Sequence, residues 1–448
     1  MGGSDAGISA ALRAKELDPS ARVTMLVADQ YPNFSICGLP FYISGEVNEW
    51  QALAHRSLDE IERQGISVLV EHGAARINTG AKTVTARAQN SGQILSFEYD
   101  KLIIATGAVS IQPDISGIGL PGIFFLRWMK DSFAFKKFLK TRRPQSITII
   151  GAGYIGMEMA DAMKHLGLAV NVVEFLPSVL TTLDLHLGEI VRSELEQHGV
   201  QVFTKTAITE ITANKEKLIV KGQKGFLLTS DMVLVATGSR PQTVLAQTAN
   251  MALGVKGAIK VNQKMETSIA DIYAAGDCAE TFHRLLGRNM YLPLGTTAHK
   301  QGRIAGENSV GGDRKYAGSL GTQSIKIFDR VAARTGLKDD EAQLEGFDPL
   351  TVDFETRDHQ VYYPGAKKLH VRMTGDRKTH RLLGAQLVGA YGTEVSKRID
   401  IVAAALYQNI KVEDLNNLDL SYTPPLSSPW DPVQMASQCW LQKVQEIA

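Results

Sequence analysis

Ser146-Ile-Thr-Ile-Ile-Gly-Ala-Gly-Tyr-Ile-Gly156 decides how this chain folds. Four of its first five residues are β-branched, as a strand prefers, and they run into Gly151-x-Gly-x-x-Gly156, after which helical spacing continues to about Leu166. A glycine turn between a strand and a helix cradles a pyrophosphate. Gly151 permits the tight turn, Gly153 lets backbone amides approach phosphate, and Gly156 brings the helix against the strand, with Tyr154 and Ile155 opening the helix. The next strand, Ala169 to Glu174, ends in a carboxylate. At that place an acid accepts from ribose hydroxyls and repels a 2′-phosphate, so NADH is expected, with NADPH less favoured.

Working outward, a weaker copy of the same turn opens the chain. Gly2-Gly3-Ser4-Asp5-Ala6-Gly7 keeps the outer glycines but has Ser4 at the middle one, and it precedes a helix (Ile8 to Leu17) and a strand (Arg22 to Val27). Val27 stands where the ribose acid would be; Asp29 could substitute, although two residues of extended chain move a side chain by about 7 Å. The glycines follow Met1 directly, without the apolar strand that feeds such a turn. A first strand missing from this chain start, or supplied in another way, is expected, because a parallel sheet without its central strand leaves neighbouring backbone groups unpaired.

Each turn has its own later Ala-Thr-Gly, at Ala105-Thr106-Gly107 after the strand Tyr99 to Ala105 and at Ala236-Thr237-Gly238. Ala270-Asp-Ile-Tyr-Ala-Ala-Gly276-Asp277 reads as a returning strand, followed by a helix over Thr296 to Asn308. The repetition implies two dinucleotide-binding domains of Rossmann type, one inserted in the other. The expected boundaries are residues 1–109 with 239–320 for the interrupted domain and 110–238 for the inserted one. Residues 321–448 mix strands (Leu369 to Met373, Leu382 to Val388) with a helix (Thr393 to Gln408) and carry no glycine fingerprint. The fold class is α/β with a C-terminal α+β domain.

Composition narrows the partners. The 448 residues are 44% hydrophobic and 21% charged with a net charge of +1, which gives no field for nucleic acid. No window approaches the about 18 continuous apolar residues of a membrane span. Three cysteines are too few for a disulfide scaffold and Met-Gly-Gly-Ser-Asp has no basic n-region, so a reducing, cytoplasmic setting is expected.

Cys37 stands alone in Phe34-Ser-Ile-Cys-Gly-Leu-Pro-Phe-Tyr42. A cysteine at a helix start is favoured as thiolate by the dipole, which marks Cys37 as a one-thiol redox centre; the alternative is a small buried hydrophobe. Cys278 and Cys439 form no pair or metal-like cluster with it, and Cys278 reads as packing. His299, in Thr296-Thr-Ala-His-Lys-Gln-Gly-Arg303, has an imidazole suited to proton transfer and is a candidate catalytic group, though a lone histidine is more often structural.

Together these segments resemble the single-cysteine class of the FAD-dependent pyridine nucleotide-disulfide oxidoreductases, which includes coenzyme A disulfide reductase, persulfide reductase, and the NADH oxidases and peroxidases. Phe34-x-x-Cys37-Gly-Leu-Pro-Phe-Tyr-Ile-x-Gly45 is similar to the redox-cysteine signature, Ile149-Ile-Gly-Ala-Gly-Tyr-Ile-Gly-Met-Glu158 to the NADH turn, and Tyr273-Ala-Ala-Gly-Asp277 to the second flavin motif. Tyr362-Tyr-Pro-Gly-Ala366, Ser421-Tyr-Thr-Pro-Pro425 and Trp430-Asp-Pro432 resemble segments of the dimerisation domain. The resemblance implies FAD in the interrupted domain, on Gly2, Gly3, Ser4, Ala6, Gly7, Asp29, Thr106, Gly107, Gly276, Asp277 and Thr297. It implies NADH in the inserted one, on Gly151, Gly153, Tyr154, Ile155, Gly156, Glu174 and Gly238. Electrons would pass from nicotinamide to flavin to an oxidised Cys37, releasing a thiol from a small disulfide, persulfide or related substrate. The chain would be a homodimer whose C-terminal domain completes the partner's active site, with Tyr362 and Tyr422 as proton donors or oxyanion stabilisers. No metal is implied.

Several positions depart from that pattern. Val27 replaces the acid that commonly holds the flavin's adenine ribose; Ile36 stands where the coenzyme A enzymes have an asparagine, and Trp430 where a lysine can contact coenzyme A. Ser4 and Asp5 occupy the turn in which oxidases and peroxidases carry a histidine. The alternatives are therefore an NADH oxidase that reduces oxygen at the flavin, with Cys37 as a sulfenic acid, and a redox-sensing or binding module without turnover. A colourless preparation that takes up no FAD would select the last.

Overall fold

Aliphatic residues fill the strands around Gly151 on both faces, the composition a parallel sheet needs when helices cover each side. The structure, a computed structural model, describes residues 1–447. Five parallel strands lie in the order Val200–Phe203, Ala169–Val173, Ser146–Ile150, Met232–Val235 and Ile123–Phe124. Ala169 pairs opposite Ser146 and Val173 opposite Ile150, so the strands feeding Gly151 and Glu174 end level at one sheet edge. Behind the glycine turn, the Tyr154–His165 helix buries Met157, Met159, Ala160 and Met163 completely.

Around the first turn the sheet is divided. Val23–Leu26 pairs parallel with Ile66–Leu69, and Leu102–Ile104 pairs parallel with Ile272–Ala274, but the two pairs share no strand. Met1 and Gly2 bridge them: Met1 N donates to Ile103 O, Ala105 N to Met1 O and Gly2 N to Leu26 O, each at 2.8 Å. Met1 and Gly2 thereby link the two pairs through backbone hydrogen bonds. The following helix, Asp5–Leu17, begins earlier than its apolar pattern suggested, with Ser4 as an extended N-cap and Asp5 in the first turn where the dipole favours a carboxylate.

Asp5–Leu17 lies against Gly295–Ser309, the helix from the far side of the insertion. The contact depends on two glycines. A Cβ on Gly302 would sit 2.3 Å from Ala6 O, and one on Gly306 2.2 Å from Ala10 O, so only hydrogen fits at this helix crossing. Arg13 Nη2 reaches Glu307 Oε2 at 2.7 Å beside it.

The repetition extends beyond the glycine motifs. Each turn's sheet is accompanied by a three-stranded antiparallel meander, His72–Asn78, Thr83–Ala88 and Ile94–Glu98 in one case, Ile208–Asn214, Lys217–Gly222 and Leu227–Ser230 in the other. Beyond them, an antiparallel sheet runs in the order Gln323–Ile327, Arg330–Gly336, Leu382–Ala390, Lys368–Asp376 and Pro349–Arg357. The helices Val395–Tyr407 and Pro432–Ile447 pack on it, and Trp440 is fully buried with Nε1 donating to Leu350 O at 2.8 Å. Asp184 to Arg372 at 2.6 Å and Glu194 to Arg330 at 2.9 Å tie this sheet to the unit around Gly151. No helix of the described residues is long and apolar enough to cross a membrane.

Candidate active site

One deep cleft of about 1920 Å³ collects most of the residues singled out by sequence. Gly2, Gly3, Ser4 and Ala6 of the first turn, Gly151, Gly153, Tyr154 and Ile155 of the second, and Cys37 all line it. Thr106, Gly107, Glu174, Gly238, Gly276 and Asp277 complete its walls. Gly7 and Gly156 lie beneath the turns instead: a Cβ on either would fall 2.0 Å from Gly2 O or Gly151 O, respectively, so they keep each helix close to its strand.

Both turns have the shape a dinucleotide needs. Gly2 and Gly151 hold φ of +114° and +108°, a left-handed conformation that disfavours other residues, and a Cβ would strike Ala105 O at 1.9 Å or Ala236 O at 2.4 Å. Beyond Gly153 there is open space, which leaves its backbone free to face a phosphate. Glu174 braces the second turn: Ala152 N donates to its Oε2 at 2.7 Å and Leu176 N to its Oε1 at 2.8 Å. Its carboxylate is thereby held at the mouth of the second turn.

Val27 and Asp29 divide the task at the first turn differently from the usual arrangement. The Val27 side chain is buried against Gly3, where a Cβ would meet Val27 Cγ2 at 2.7 Å. Asp29 lines the cleft. Its Oδ1 accepts from Gln30 N at 2.7 Å while its Oδ2 is buried without a partner, and burial pushes the carboxyl up. An orphaned buried acceptor beside a pyrophosphate-shaped turn fits a nucleotide hydroxyl. Thr182 Oγ1, also on the cleft wall, is the corresponding orphan near the second turn.

Cys37 sits in a single 3-10 turn, Ile36–Gly38, that leads into the short helix Leu39–Ser44. The thiol is open to the cleft, yet the surrounding walls crowd it. That crowding is the largest cause holding its pKa above the ordinary value; the carboxylates of Glu158, Asp5 and Asp277 act in the same direction and the Arg127 guanidinium opposes them. A thiol acidified by a helix start, expected from sequence, is therefore overturned. The helix is only six residues long, and crowding by the walls, followed by the three carboxylates, raises the thiol. Cys278, by contrast, is completely buried as expected of packing.

Four residues placed with the chemistry by sequence lie elsewhere. His299 is exposed and is not among the cleft-lining residues; its Nδ1 lies 2.8 Å from Ser9 Oγ, so it braces two helices. Thr297 is buried, 3.4 Å from Ser319 Oγ, and reaches no cleft surface. Tyr362 and Tyr422 lie in loops of the C-terminal unit, 72% and 45% exposed. Val361, Leu426 and Trp430 are exposed in the same chain segments. Arg127 and Glu158 are the cleft residues that sequence reasoning missed. Arg127 Nη2 contacts Asp277 Oδ2 at 2.8 Å across 150 residues of chain, a separation no local motif can report.

Comparison with known proteins follows the same division. Residues 1–302 match the pyridine nucleotide-disulphide oxidoreductase family, and residues 322–432 match its dimerisation domain. The chain is 34% identical over 430 residues to a CoA-dependent NAD(P)H sulfur oxidoreductase of Pyrococcus furiosus, covering 96% of this chain and 95% of that one. It is 32% identical over 446 residues to an NADH oxidase of Methanocaldococcus jannaschii, covering 99% and 98%. Among solved structures, the NAD-dependent persulfide reductase of A. fulgidus superposes with a TM-score of 0.95 at 35% identity, over 100% of this chain and 83% of that one.

Proposed function

This chain belongs to the pyridine nucleotide-disulphide oxidoreductase family, and on that premise we propose that it is an NADH-dependent, FAD-containing reductase of a small disulfide, persulfide or related thiol-reactive substrate, with Cys37 as its redox-active sulfur. The observation that carries this reading is the continuity of one cleft from the first glycine turn through Cys37 to the second. Bound FAD supplies a carrier that takes a hydride from NADH and passes two electrons to sulfur.

The chain's own residues provide the rest. Gly2, Gly3, Ser4 and Ala6, with Thr106, Gly107, Gly276 and Asp277, are assigned to the flavin, and the unpartnered oxygen of Asp29 to its adenosine end. Gly151, Gly153, Tyr154 and Ile155 with Gly238 are assigned to NADH. Glu174 supports NADH over NADPH, because its fixed carboxylate would lie against a 2′-phosphate. Cys37 Sγ attacks the substrate disulfide, one sulfur leaves, and the mixed disulfide at Cys37 is then reduced. We assign residues 1–109 with 239–320 to the flavin, 110–238 to NADH and 321–448 to the subunit interface. Tyr362 and Tyr422 face no part of their own chain's cleft, which supports a homodimer in which they serve the partner's Cys37. Three unpaired cysteines support a reducing, cytoplasmic setting.

The test is Cys37→Ser, with NADH and a panel of small disulfides. Thiol release is expected to vanish while NADH still bleaches the flavin; a mutant that reduces every disulfide at the native rate contradicts the reading. A second reading, an NADH oxidase, is favoured by Ile36 and Trp430, which offer coenzyme A neither the amide of an asparagine nor the charge of a lysine, and by the similarity to an NADH oxidase. Oxygen uptake with NADH in the absence of any thiol substrate selects it.

A further inference from the structure

The loop that follows Glu174 and leads into the helix Leu185–Gln197 is held from two sides. On one side Leu180 N donates to Ala152 O at 2.9 Å. Ala152 is the residue between Gly151 and Gly153, and its own N–H goes to Glu174, so this bond joins the loop directly to the second glycine turn. On the other side the C-terminal sheet grips the next residues. Arg334 Nη1 donates to Thr182 O at 2.7 Å and Lys338 Nζ to Thr181 O at 3.4 Å, while Asp184 Oδ2 accepts from Arg372 Nε at 2.6 Å and from Gln386 Nε2 at 2.8 Å.

Between the two grips Leu180 holds φ of +43°, a left-handed conformation that a leucine keeps only where its surroundings impose it. Arg334 is a rigid anchor for this purpose: it is buried, and its fork also donates to Gly336 O at 2.7 Å and to both oxygens of Glu341. Thr181 and Thr182 line the cleft, whereas Arg334 does not. We propose that Arg334 is a positioning residue for NADH. By holding the Thr182 carbonyl it keeps Leu180 left-handed, and through Leu180 it keeps the Ala152 peptide in the shape that receives the nucleotide. Without that grip the loop relaxes at Leu180 and the bond to Ala152 is lost. The C-terminal sheet therefore sets how tightly NADH is held, through backbone that lies between them.

The role of Arg334 rests on the reading of the second turn as the NADH site, and its test separates the two. Anaerobic rapid mixing with NADH, with no disulfide present, reads the half-saturating concentration for flavin bleaching apart from the limiting rate. Arg334→Met combined with Glu341→Met frees the Thr182 carbonyl and leaves no unpaired acid behind. Half-saturation is expected to rise at least about tenfold, with the limiting rate within about twofold of native and flavin content unchanged. Asp184→Asn keeps the shape of the loop's end and loosens the Arg372 grip, and should raise half-saturation about threefold. Arg330→Met cuts the other tie between the same two units, at Glu194, without touching the loop, and should keep the native value. An equal rise in the Arg330 and Arg334 variants would mean that only cohesion of the units matters, and overturns the proposal. So does native half-saturation in the folded Arg334 variant or, if that variant does not fold, in Asp184→Asn. Bleaching of the native flavin by NADPH and not by NADH contradicts the NADH reading instead, and half-saturation with NADPH then still decides the role of Arg334.

Discussion

Cys37 and Asp29 show how single residues in this chain depart from what their neighbourhood suggests. Cys37 is crowded by the cleft walls and flanked by carboxylates, both of which raise its thiol above the ordinary value. Asp29 offers a buried oxygen that nothing in the chain uses. If that oxygen holds the flavin's adenosine end, Asp29→Ala should weaken FAD binding by about tenfold or more, the loss of one hydrogen bond to a charged acceptor at about 1.5–3 kcal/mol. Flavin retained per chain after gel filtration reads this directly; full retention by the variant would remove Asp29 from the site. Legibility at this scale followed distance along the chain. The second glycine turn and Glu174 were readable because every signal lies within one strand, turn, helix and strand. The positions of Arg127, Glu158 and His299 were not, because they depend on segments far apart in sequence that meet only on folding.

At the level of elements, the flavin-side unit depends on two helices from opposite ends of an interrupted domain. Asp5–Leu17 and Gly295–Ser309 approach so closely that Gly306→Ala would place a methyl 2.2 Å from a backbone oxygen that cannot move without parting the helices. A destabilisation of about 1–3 kcal/mol is expected from urea unfolding, together with loss of bound flavin. Gly119→Ala is the control, since its Cβ meets nothing within 4 Å and its φ is ordinary. Equal stability of the two variants would mean that the helix crossing is not tight. The glycines at 302 and 306 were invisible as packing signals from sequence because small residues at helical spacing mean nothing until the opposing helix is known. The two meanders escaped for a related reason: short strands with mixed polarity carry no period strong enough to separate from loops.

At the scale of the molecule, Tyr362, Tyr422, Leu426 and Trp430 place aromatic and aliphatic surface on loops of the C-terminal unit, away from their own chain's cleft. In the proposed homodimer that surface would meet the Cys37 of the other chain. Leu426→Asp with Trp430→Asp is expected to give monomers by light scattering, with disulfide turnover lost and flavin bleaching by NADH retained; a variant that stays dimeric and active contradicts the arrangement. Mixing a Cys37→Ser chain with a Tyr362→Phe, Tyr422→Phe chain should recover turnover that neither homodimer shows, because the mixed dimer contains one intact site. Nothing in residues 321–448 suggests such roles by chemistry alone, and the two tyrosines enter only through resemblance. The central claim, that electrons leave the flavin through Cys37, is tested most directly by anaerobic rapid mixing. NADH should bleach the flavin of both the native protein and Cys37→Ser, and a small disulfide added afterwards should restore the yellow colour of the native protein alone. Recovery of colour in Cys37→Ser at the native rate would contradict the account.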